Sequence, residues 1–90
     1  MKMNKAQRQG LTMAMENSCE ELNLNERDRK LLRKISKYIL TFSLNEYETE
    51  ELRKELIGIS MQAELRGESL EAAIGMDYEE FCNEMINALT

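Results

Sequence analysis

"ELRKELIGISMQAELRGESLEAAIG", residues 51–75, decides the fold because it carries apolar residues on two opposite sides of one helix. At about 100° per residue, Leu52, Leu56, Ile59 and Ala63 make one stripe. Ile57, Met61 and Leu65 make another, turned about 180° from the first, and Tyr47 lies on that second side. A helix apolar on opposite sides is central and covered on both. Cover for the second side comes either from this chain, through the last helix and "LEAAIG", or from another molecule. In the latter case Tyr47, Ile57, Met61 and Leu65 are the candidate contact residues, in a homodimer or against a heterologous protein.

Working outward, the same helix starts after "SLN", with Ser43 or Asn45 as cap and Glu46, Glu48, Glu50 and Glu51 in its first turns. Gly67 is placed to close it in the left-handed conformation. Ser69 then caps the short helix "LEAAI", which Gly75 ends. Asp77 caps the last helix, with Glu80 three residues on as in a capping box. Tyr78, Phe81, Cys82, Met85, Ile86 and Leu89 form its single stripe.

Upstream, Asn25 caps a second helix running to about Phe42. Its Leu31, Leu32, Ile35, Tyr38, Ile39 and Phe42 gather on one side, and Lys30, Arg33, Lys34 and Lys37 on the other. A first helix is expected from about Leu11 to Leu22, where Leu11, Met15, Cys19 and Leu22 recur, although Gly10 and "ENS" weaken the pattern. Residues 1–10, with Met1 and Met3, are expected to form a flexible tail, leaving residues 11–90 as one domain.

The expected fold is therefore all-α: a compact bundle of four to five helices with a central third helix. Ninety residues suffice for one domain. Proline is absent, and helix formers dominate. Residues 1–42 carry nine Lys/Arg against five Asp/Glu, whereas residues 43–90 carry three against twelve. Halves of opposite charge favour docking within the chain or between chains.

Several chemistries are argued against by residue type. The chain has no histidine, so Ser–His and Cys–His nucleophile pairs cannot form within it. Two isolated cysteines make neither a disulfide framework nor a zinc site, and Cys82 reads as a small core residue. There is no glycine-rich phosphate loop or calcium-loop spacing, and each carboxylate has a simpler role at a helix start or on a polar face. The expectation is a non-enzyme with no cofactor, no metal and no evident small-molecule substrate. No apolar run reaches the roughly 18 residues of a membrane span, and the N-terminus leads into no signal-peptide core, so a cytoplasmic protein is expected.

The basic face of the second helix suggests an alternative, a nucleic-acid accessory role through Lys30, Arg33, Lys34 and Lys37. Against it stand the net charge of −5 and the glutamates opening the next helix. The plainer expectation is a solvated face paired with those glutamates.

The stretch from "KISKYIL" through "ELRKELIGISMQAELRGESLEAAIGMDYEEFCNEMINAL" resembles the bacterial family called domain of unknown function family 1048. The resemblance rests on Lys37–Tyr38, the helix around Leu52 to Arg66, Gly67, the segment Leu70 to Gly75, and Asp77, Phe81, Cys82 and Glu84. It covers roughly residues 35–90. More distantly the chain is similar to the HAAS domain, found beside bacterial membrane permeases and regulators. These resemblances imply a small helical bundle in a bacterial cytoplasm and no catalytic residues. The functional expectation is a protein–protein interaction module or regulatory accessory.

Overall fold

Short polar side chains start the helices by taking up amides that have no partner in the first turn. The computed structural model describes residues 4–89. Helix α1 (Lys5–Glu21) opens on Asn4, whose side chain accepts the Gln7 amide while Gln7 accepts the Asn4 amide. Helix α2 (Glu26–Ile39) opens on Asn25, which accepts from the Asp28 amide. Helix α3 (Glu46–Leu65) opens on a reciprocal pair between Asn45 and Glu48. Ser69 caps α4 (Leu70–Ile74). Asp77 stands before α5 (Tyr78–Leu89), and its side chain accepts from the Glu79 amide. Each such cap contributes about 1 kcal/mol. Gly67 at φ 75° and Gly75 at φ 70° end α3 and α4 in the left-handed region, as their positions in the sequence led us to expect.

The protein is an all-α bundle, with no strand among the described residues. Its core joins Leu32, Ile35 and Ile39 of α2 to Leu52, Leu56 and Ile57 of α3. Leu70 and Ile74 of α4 and Cys82 and Ile86 of α5 complete it. Each fully buried Leu or Ile stabilises the fold by about 1.5–3 kcal/mol relative to exposure.

Two features depart from the reading of the sequence. The first helix begins at Lys5, not near Leu11, so residues 5–10 are helical where a flexible tail was expected. The expectation for Met1 and Met3 lies outside the described residues. The reason is the Asn4–Gln7 capping pair, a signal that carries no apolar residue. The second helix ends at Ile39, before Phe42.

The cover of α3 also differs. Within the chain, the last helix with "LEAAIG" was the expected cover of its second side. Instead α1 lies along one flank of α3, α2 and α4 pack on its other side, and α5 rests chiefly on α2 and α4. Helices α1 and α3 run in the same direction, since Gly10 lies against Glu46, Asn17 against Glu50 and Glu21 against Arg53.

The α1–α3 seam is small and polar. A Cβ on Gly10 would stand 2.8 Å from Glu46 Cβ and 2.9 Å from Tyr47 N, so only glycine lets the backbones meet there. Asn17, 1% exposed, donates to the Glu50 carbonyl at 2.9 Å and to Glu50 Oε1 at 3.0 Å. Arg53 bridges Glu50 at 2.7 Å and Glu21 at 2.9 Å. Leu11, Met15 and Leu22 consequently face outward.

Asp28, in the first turn of α2, is a buried junction. Its carboxylate accepts from Ser60 Oγ at 2.6 Å and from the Leu70 amide at 3.1 Å. It thereby ties α2 to the middle of α3 and the start of α4. Burying a carboxylate is costly without such bonds, and the two donors meet that requirement.

Candidate functional site: the outer face of helix α3

Neighbouring helices leave one strip of α3 open. Going round the helix at about 100° per residue, Gly58 sits at its centre, with Glu51, Lys54, Gln62 and Leu65 close on either side. All five are exposed, and the strip runs for roughly 20–25 Å at 1.5 Å per residue. A groove of about 790 Å³ lies along it, lined by Glu51, Leu52, Glu55, Gly58, Ile59 and Arg66 among others.

Gly58 is the informative residue. It is interior to a regular helix, where glycine costs about 1 kcal/mol relative to alanine. Beyond the local backbone of its own helix, a Cβ built on it would meet no described atom within 4 Å. Unlike Gly10, no contact within the described residues requires it.

The four candidate contact residues separate in the structure. Leu65 is 82% exposed and Met61 41% exposed, both beside the Gly58 strip. Tyr47 is half-buried at the start of the strip, and its hydroxyl donates to Glu51 Oε1 at 3.1 Å. That hydrogen bond, with the carboxylate's charge, raises the Tyr47 pKa above its ordinary value. Ile57 is a correction, because it is fully buried in the core and presents nothing to a partner. Its angle on the helix turns it toward the covered flank. The sequence reading also passed over Glu51, Gly58 and Arg66. A glycine inside a strong helical pattern, with no terminator role, was the available signal.

The alternative surface is exposed as well. Lys30 pairs with Glu26 of its own helix at 3.8 Å, while Arg33, Lys34 and Lys37 form no ion pair with the described residues. The expected pairing with α3 glutamates does not form. Glu48 is held in its cap, Glu50 by Asn17 and Arg53, and Glu51 by Tyr47.

Cys82 is 1% exposed, and burial first, then the charges of Asp77 and Glu79, push its thiol up to about 11. It is protonated and enclosed at neutral pH. Among the described residues no cluster of three or more His, Cys, Asp or Glu is arranged to hold a metal, and no helix is long and apolar enough to cross a membrane.

No protein-family model, curated protein or solved structure matches the chain.

Proposed function

We propose that the protein is a non-enzymatic interaction module or regulatory accessory that binds another polypeptide on the outer face of α3. The observation that carries this reading is the open strip itself, with Met61 and Leu65 exposed beside a helix-interior glycine that no contact within the described residues needs. Exposed apolar residues rimmed by charge are the usual composition of a docking surface. The non-catalytic part rests on residue chemistry: there is no histidine, Cys82 is enclosed, and several carboxylates are held in caps and ion pairs. A bacterial, cytoplasmic setting is supported by the resemblance of residues 35–90 to domain of unknown function family 1048.

The test uses tagged protein expressed beside an untagged copy in source cells. Wild type is expected to co-purify a polypeptide that Leu65→Asp does not, with the variant's circular dichroism unchanged. Identical co-purified sets would remove the reading.

A second reading is favoured by three exposed cations of α2 that form no ion pair with the described residues. In it, Arg33, Lys34 and Lys37 hold phosphates, and retention on heparin falls steeply with salt. Net charge of −5 opposes it, and we place it second.

A further inference from the structure

We infer that the polypeptide bound on the outer face of α3 is a second copy of this chain, its α3 crossing antiparallel at Gly58. The inference rests on the docking reading above and names its partner.

Three observations converge on this occupant. The first is Gly58, exposed and without a neighbour within 4 Å of its missing Cβ. Close approach of a second helix backbone is a use for such a residue, as Gly10 shows inside this same fold.

The second is the charge order along the strip. A two-fold interface requires that if residue i meets j, then j meets i. Glu51 lies about two turns before Gly58 and Arg66 about two turns after it, on the same side of the helix. Antiparallel pairing about Gly58 sets Glu51 of each copy against Arg66 of the other, twice over. It also sets Glu55 against Gln62. In a parallel pairing Glu51 would face Glu51 and Arg66 would face Arg66. Among the described residues the Arg66 guanidinium has only an exposed contact to Glu68 at 3.5 Å, so it is available.

The third is the placement of the apolar residues. In the same register Leu65 of one copy reaches the strip between Tyr47 and Glu51 of the other, and Met61 lies along the stem of Lys54. Leu65, the most exposed large apolar residue among the described ones, thereby gains a half-buried tyrosine as its neighbour. A single helix face gives a small interface, so a dimer in exchange with monomer is expected, with association in the micromolar range or weaker.

Sedimentation equilibrium across micromolar to millimolar protein tests this, with circular dichroism as a folding control. Glu51→Arg and Arg66→Glu, both at exposed positions, are each expected to weaken self-association about tenfold or more, by setting like charges opposite at both ends. Mixing the two variants restores an opposite-charge pair at both ends, and the mixture is expected to associate as wild type does. Should either variant fail to fold, Leu65→Ser supplies the weakening arm. Self-association that neither charge variant weakens, or weakening that mixing does not repair, would overturn the register. Wild type monomeric throughout would overturn the second copy. In that event the docking reading stands if Leu65→Asp still loses another co-purified protein, and falls if it does not.

Discussion

On one flank of α3, Gly10 of α1 lets two backbones touch; on the outer face, a Cβ at Gly58 would meet no described residue beyond its own helix. Both glycines sit inside helices and both carry the same intrinsic cost. At Gly10 that cost is offset within the chain by a seam in which Asn17, Glu50, Arg53 and Glu21 bind one another. At Gly58 no described residue offsets it. The two flanks show that small and polar contacts can seal much of a helix flank around a single buried apolar residue, Ile57, and that an unsealed face is recognised by a residue with an unspent role more than by apolar content alone.

The largest expected effect lies on the sealed side. Ile57→Ala should cost about 2–5 kcal/mol in denaturant unfolding, because Ile57 is fully buried. A loss under about 1 kcal/mol would mean that the covered flank is looser than described. Asp28→Ala should cost about 3 kcal/mol by leaving Ser60 Oγ and the Leu70 amide without their acceptor. Gly10→Ala should cost a net 1–2 kcal/mol or so, since crowding of backbone atoms outweighs the gain in helix propensity. A stabilised Gly10→Ala would show that α1 does not lie where it is described.

A pH effect follows from the sealed Cys82. Its folded pKa is raised to about 11 from an ordinary value of 9.0, so the folded state holds the proton more tightly. Its contribution is whole below pH 9 and is lost as pH rises towards 11. The unfolding midpoint should fall across that window more steeply in wild type than in Cys82→Ala. Equal slopes would show that the thiol is not enclosed. The smallest effect belongs to the open face: Leu65→Asp should change monomer stability by no more than about 0.5 kcal/mol.

Much of this was legible in the sequence. Asn25, Asn45, Ser69, Gly67 and Gly75 marked where helices start and stop, because caps and left-handed closures depend on local chemistry alone. The α2 and α5 core positions followed from single apolar stripes. A first helix was expected, but its start and its inward face did not follow, because the residues it turns to α3 include Gly10, Asn17 and Glu21, and periodicity of apolar residues cannot register them. Gly10 read as a helix breaker and serves as the contact. Asp28 was hidden for a similar reason, since its partners lie 32 and 42 residues away. On α3 the two-sided pattern was visible, but a helical wheel does not tell how wide a neighbour's cover is. Ile57 and Leu65 share a side on the wheel, yet one is enclosed and the other open.

Gly58→Ala offers the most direct test, because it separates folding from docking. Alanine removes the helix-interior penalty of about 1 kcal/mol, and apart from the local backbone of its own helix its methyl group meets no described atom within 4 Å. Melting at low protein concentration should therefore occur at a higher temperature than in wild type, while sedimentation equilibrium should show weaker self-association. A variant that is more stable and associates as strongly as wild type would contradict a docking role for the outer face of α3 at Gly58.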